Sequence, residues 1–184
     1  MSPQLVTVVA CGAPLAARVS EVAAVLMEAG RTVSVVATPS AMAWIDSEAV
    51  SRVVGHAPRV DYRSPSEPKL GLTPDAVVVC PMTFNSLNKV VAGIADTYAL
   101  GVMDEALGQR LPVLAIPMVN DRLWGHPAWA ANLEVLSEAG VTLIDVHTGH
   151  PGARAVVSGT GSEVVERFNP TWVRAAVEAA LAIA

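Results

Sequence analysis

At 184 residues, 52% hydrophobic and only 16% charged, the chain is long enough to fill one core without staples, and its formal charge of −5 lacks any Lys/Arg cluster that would suit nucleic acid. No stretch approaches the roughly 20 consecutive apolar residues of a membrane span. The start, Met1-Ser-Pro-Gln4, has neither the basic region nor the cleavage site of a signal peptide, so a cytoplasmic protein without a membrane partner is expected. Two cysteines, Cys11 and Cys80, make neither a disulfide framework nor a metal pattern; both are expected as buried thiols, with no metal.

Short apolar runs alternate with amphipathic segments, the period of repeated strand–helix units. Residues 5–11 read as the first strand. Residues 15–29 follow as a helix with Leu15, Val19, Val22, Ala23 and Leu26 on one face and Gly30 as its stop. Residues 32–37 form a second strand, followed by short helices around 41–45 and 47–54. The stretch 56–74 carries Pro58, Pro65, Pro68 and Pro74 and reads as an irregular connection. The sheet resumes at 76–80, followed by helices at 86–94 and 98–107, a strand at 111–116, a helix at 128–139 stopped by Gly140, and a last strand at 141–145. A flexible, glycine-bearing segment at 147–161 leads to a terminal helix, with Asn169 as its N-cap and Pro170 at its first position. With no repeat and no second domain in view, the expected fold is α/β: one Rossmann-like three-layer α/β/α sandwich over 1–184, with a mainly parallel sheet.

Sheets of this kind bind ligands beyond the carboxyl ends of their strands. Two turns there stand out: Pro81-Met-Thr-Phe-Asn-Ser-Leu-Asn-Lys89 and Pro117-Met-Val-Asn-Asp-Arg-Leu-Trp124. Each carries an Asn, the first beside the hydroxyls of Thr83 and Ser86, and together they look like halves of one site. The turn after the first strand, with Gly12 for close backbone approach, sits where an anion would rest on a helix N-terminus; by itself it reads equally as a plain connection. Without a G-x-G-x-x-G after that strand, a nicotinamide enzyme is not indicated.

The first Asn turn, continued by Val90-Val-Ala-Gly-Ile-Ala-Asp96, resembles the P-A-S-A-N-T…K…G-I-A-D stretch of the homo-oligomeric flavin-containing cysteine decarboxylases. The second resembles that family's P-x-M-N-x-x-M-W substrate motif at Pro117, Asn120 and Trp124, with Val119 and Leu123 in place of its methionines. His126-Pro-Ala128 and Asn132-Leu133 also fit, and the likeness runs from the first strand to about Asp145. The second turn separates this branch from the related flavin prenyltransferases. The resemblance implies FMN, with FAD open, and a homo-trimer or a dodecamer of trimers. It places the cofactor on Gly12, Ala13, Thr38, Ser40, Trp44, Pro81, Thr83, Phe84 and Asn85, and the substrate thiol, a small molecule or peptide end, on Asn120, Leu123, Trp124 and Thr160. Taken alone, Thr38 to Trp44 also reads as a capped helix with a core tryptophan, and Thr83 to Asn85 as a cap and turn.

Two departures bear on the chemistry. The family's basic histidine lies in a P-H-x-x-L-like segment before the third strand; the corresponding Ser64–Asp75 stretch has none, Glu67 falls near its place, and His56 lies further back. A glutamate near its ordinary pKa of about 4.3 is a weaker base than an imidazole near about 6.5. The family's flap cysteine, which returns a proton to an ene-thiol, is replaced here by Thr160. The expected function is therefore oxidative decarboxylation of a cysteine-like substrate, with Asn120 and either Glu67 or His56 as catalytic candidates, stopping at the unsaturated thiol. The competing expectation is a flavin-binding subunit that lacks the base.

Overall fold

Five apolar runs pair in parallel in the order β2-β1-β3-β4-β5: β1 is Leu5–Ala10, β2 Thr32–Ala37, β3 Ala76–Met82, β4 Val113–Pro117 and β5 Thr142–Leu143. The computed structural model describes residues 4–64, 66 and 73–182. Because side chains alternate across a strand, each run feeds two cores. Val6, Val8 and Ala10 join Val78, Cys80, Leu114 and Ile116 on one face, while Val9 and Cys11 join Val77, Val79 and Ala115 on the other. Burial on both faces is why these strands are apolar at nearly every position.

Helices α1 (Val19–Glu28), α2 (Ser47–Val54), α7 (Gly161–Arg167) and α8 (Thr171–Leu181) cover the first face; α3 (Phe84–Val91), α4 (Tyr98–Gly108) and α6 (Pro127–Glu138) cover the second. The one-turn α5 (Asp121–Trp124) sits at the carboxyl end of β4. This is the expected Rossmann-like sandwich. Among the described residues no helix is long and apolar enough to cross a membrane.

Local chemistry moved several boundaries. The helix expected over 15–29 begins as a 3-10 turn, Pro14–Arg18, before becoming α1, and the one around 41–45 is a second 3-10 turn, Pro39–Ala43. In both a proline at the start has no N–H to donate. The last strand keeps two residues because the chain folds back: Asp145 N donates to the His150 carbonyl at 2.8 Å and Gly152 N to that of Leu143 at 2.9 Å. The terminal helix starts one residue later than expected, so Pro170 rather than Asn169 is its N-cap and no side chain caps it; Asn169 lies one residue further out, where its Oδ1 accepts from Thr171 N at 3.0 Å. The connection after α2 pairs once with the edge of β2, at Val36 and Arg59.

Candidate functional site

The carboxyl ends of β1, β3 and β4 open onto a cleft of about 910 Å3, within the size range of cofactor sites. One wall is Gly12, Ala13 and Pro14, set beside Thr38, Ser40 and Trp44. Thr83, Phe84, Asn85 and Ser86 form another, from the turn between β3 and α3. Asn120 and Leu123 come from the turn after β4, and residues 156–159 with Gly161 and Ser162 complete the mouth. The two Asn turns, 35 residues apart in sequence (120 − 85), thus share one cavity.

The first turn differs from the amide-rich cradle its position suggested. Ala13 N donates to the Cys11 carbonyl at 2.8 Å, Pro14 has no N–H, and a 3-10 turn follows instead of a helix. What this wall provides is closeness and hydroxyls. A Cβ on Gly12 would lie 2.6 Å from Ser40 Oγ, and the buried Thr38 places Oγ1 3.2 Å from the same oxygen. Across the cleft, Thr83 caps α3: its Oγ1 accepts from Ser86 N at 3.3 Å and donates to Ser86 Oγ at 3.0 Å. Phe84 and Asn85 open that helix, so their N–H groups have no intrahelical acceptor. Cys11 lies behind Ser86; burial pushes its thiol pKa up, against hydrogen bonds to Ser86 and the Thr83 backbone, so it stays protonated at neutral pH. Burial likewise pushes Cys80 up to about 12. The two thiols belong to cores on opposite faces of the sheet.

Asn120 is held in one orientation. Its Oδ1 caps α5 by accepting from Leu123 N at 3.0 Å, which commits the oxygen and leaves the NH₂ as the group to offer a ligand. Three large apolar side chains stand exposed around the cleft, Trp44 at 46%, Leu123 at 42% and Val157 at 60%. Lys89 is the one ionisable residue among the described residues lining it, and its Nζ lies 2.5 Å from Asp96 Oδ2.

Other expected site residues lie elsewhere. Pro81 is buried within β3, where its carbonyl accepts from Cys11 N at 3.0 Å. Trp124 does not line the cleft but packs on buried Trp129, ring centres 5.2 Å apart; Phe84 stacks on the same ring at 5.4 Å. Thr160 spends its hydroxyl on the Val157 carbonyl at 2.9 Å, while its neighbours Gly159 and Gly161 line the cleft. His126 Nδ1 accepts from Ala128 N at 3.2 Å as the cap of α6. His56 is not brought to this cleft. It borders a separate groove of about 850 Å3 that runs along β2 from Thr32 to Val36 and touches the amino-terminal half of β1 at Leu5 and Thr7. Glu67 lies outside the described residues.

The strip 156–158 was within reach of sequence reasoning only as a loop. It reaches the mouth because Val156 pairs with Asn120: Val156 N donates to the Val119 carbonyl and Asp121 N to that of Val156, both at 2.9 Å. Asp121 Oδ1 then accepts from Ser158 N at 3.1 Å. Upstream, buried Asp145 anchors the segment expected to be flexible. It accepts from His147 N at 2.8 Å and from Thr148 N at 3.1 Å, and binds Arg154 Nε at 2.6 Å. Burial favours its neutral form, but hydrogen bonds from Arg154, His147 and Thr148 outweigh this and hold the carboxyl below its ordinary pKa. A depressed folded pKa contributes stability above the unfolded value near about 3.9, and that stability is lost as pH falls through the folded one. Asp145→Ala is expected to cost about 2–3 kcal/mol at pH 7, because two backbone donors lose their acceptor, and to flatten the decline in stability below about pH 4. Urea unfolding at several pH values checks both; an unchanged pH-7 midpoint rejects the anchoring role.

A family model described as Flavoprotein matches residues 1–167. The bifunctional coenzyme A biosynthesis protein CoaBC of Mycobacterium tuberculosis (strain ATCC 25618 / H37Rv) is 30% identical over 151 residues, 80% of this chain and 35% of that protein. The chain thus spans about a third of the length of this curated relative. Among solved structures, the FMN-binding protein AtHal3 superposes with a TM-score of 0.73 at 20% identity, covering 97% of this chain and 96% of that one. The FMN-dependent cysteine decarboxylase SpaF gives 0.65 at 26% identity, covering 95% and 97%.

Proposed function

The chain belongs to the flavoprotein family, and from that premise we propose that it binds FMN in the cleft and oxidatively decarboxylates a thiol-bearing carboxylate such as a C-terminal cysteine. The observation that carries this reading is the meeting of two Asn-bearing turns in one cavity, opposite the Gly12 and Ser40 wall. The residues fit the cofactor. The space is large enough, the absence of a Cβ at Gly12 keeps the backbone close to Ser40, and Thr38, Ser40, Thr83 and Ser86 supply neutral hydroxyls for a phosphate or ribityl chain. Exposed Trp44 offers a flat apolar surface to the ring system, and the Phe84 and Asn85 amides suit its donor–acceptor edge.

Flavin bound here would take two electrons from the thiol-bearing carbon, with one hydrogen leaving Cβ and one leaving sulfur, so that the thiocarbonyl left β to the carboxylate can accept the electron pair released as CO2 departs. Asn120 donates its NH₂ to the substrate carboxylate, a direction set by the commitment of its oxygen to Leu123 N. Leu123 and Val157 shield the reacting carbons from water. Thr160, hydrogen-bonded within its own turn and a poor acid, does not return a proton, so the unsaturated thiol is the product. A trimer, or a larger assembly of trimers, in the cytoplasm is the setting we attach to this reading.

A second reading, a flavin-binding subunit without turnover, is favoured by a specific observation. Among the described residues lining the cleft there is no His, Asp or Glu, and Lys89 is paired with Asp96. Anaerobic mixing of FMN-loaded protein with a C-terminal-cysteine peptide separates the two. Bleaching with loss of CO2 and two hydrogens supports the enzyme; bound flavin without bleaching supports the subunit. A protein that takes up no FMN removes both.

A further inference from the structure

Resting on the flavin-cleft reading, we propose that this site selects a thiol carboxylate whose remaining part is uncharged and apolar, and discriminates against one carrying a phosphate or a second carboxylate. The charge inventory points this way. Among the described lining residues only Lys89 is ionisable, and Asp96 already neutralises it at 2.5 Å. At the mouth a carboxylate, Asp121, holds the rim strip through Ser158 N at 3.1 Å. Among the described lining residues an incoming dianion would therefore meet no uncompensated cation, on a chain whose formal charge is already −5.

The hydroxyl inventory points the same way. Thr38, Ser40, Thr83 and Ser86 stand on the cofactor wall and are bonded to one another in pairs. On the opposite side Asn120 offers its NH₂ for one carboxylate, and the other polar side chains there, Ser158 and Ser162, are neutral hydroxyls. Around it the surface is apolar and open, with Leu123 and Val157 both more than 40% exposed. Exposed large side chains clustered about one cavity are the usual mark of an apolar ligand. Burying a charged tail against them without a partner is costly.

The test uses the full chain loaded with FMN and reads binding through the change in flavin absorbance and tryptophan fluorescence under anaerobic conditions. Two matched pairs serve as probes: pantothenoylcysteine with and without its 4′-phosphate, and N-acetyl-leucyl-cysteine against N-acetyl-glutamyl-cysteine. The uncharged member of each pair is expected to bind at least tenfold more tightly at low salt. The gap should narrow in 0.5 M salt, as screening predicts, and in Asp121→Asn, which keeps the Ser158 contact but removes the charge. Equal or tighter binding of the charged member in either pair overturns the proposal while leaving the flavin reading intact, and a gap that ignores both salt and Asp121→Asn overturns it too. Failure to take up FMN, seen in the same cuvette before any probe is added, brings down the underlying reading and the proposal with it.

Discussion

Asn120→Asp is expected to fold and take up flavin like the parent, yet to bind a thiol carboxylate on the order of 100-fold more weakly. The substitution separates two jobs that one side chain performs. As the cap of α5, Asn120 needs only an oxygen to accept from Leu123 N, now at 3.0 Å, and Asp caps as well as Asn does. As the proposed substrate clamp it needs a donor, and a carboxylate has none. A hydrogen bond to a charged group contributes about 1.5–3 kcal/mol, and the new like charge adds repulsion. Asn120→Ala loses both jobs, with about 1 kcal/mol of stability going with the cap. Thermal unfolding and ligand titration of the two variants together give the answer: if Asn120→Asp binds like the parent, the clamp is elsewhere.

The strands were legible because burial on both faces leaves an unmistakable signature. Runs such as Ala76-Val-Val-Val-Cys80 have no polar face to present, and all five pair in parallel as their alternation with helices implied. The Asn turns were legible for a related reason, since anything that follows a parallel strand lies at the ligand edge. Long-range pairing of short segments was not. Nothing local to Val156 says that it will hydrogen-bond beside Asn120, and that pairing carries Val157 and Ser158 to the mouth.

Side-chain direction was the other blind spot. Trp124 belongs to the quoted motif yet turns onto Trp129, a contact set by the packing of α5 on α6. Thr160 sits in the mouth-forming loop while its hydroxyl is tied up by the carbonyl three residues earlier. The turn after β1 was expected to present amides, but Ala13 N bends back to Cys11. Composition and spacing locate the turns; they do not say which donor each turn spends on itself.

Gly12→Ala is the smallest change expected to close the cofactor wall. No unusual backbone angle reserves this position for glycine, as the left-handed conformation does at Gly30 or Gly55; the constraint is space alone. A Cβ would lie 2.6 Å from Ser40 Oγ, 2.8 Å from its Cβ and 3.0 Å from its carbonyl carbon. The last of these is backbone, so rotating the Ser40 side chain cannot relieve the whole clash. The 3-10 turn Pro39–Ala43 must move, and Thr38 and Trp44 flank it. Overpacking of this kind costs about 1–3 kcal/mol. If the displacement falls on flavin binding to the same extent, affinity drops roughly tenfold to a hundredfold. Adding Ser40→Gly removes two of the three clashing atoms, so the double variant should recover more than half of the lost stability, a coupling that independent sites would not show. Chemical denaturation with FMN titration across this four-protein cycle measures both quantities. Parent-like FMN affinity in a Gly12→Ala protein that has lost stability would mean that the cofactor does not approach this turn, whereas parent-like stability would mean that the wall absorbs the methyl without the clash.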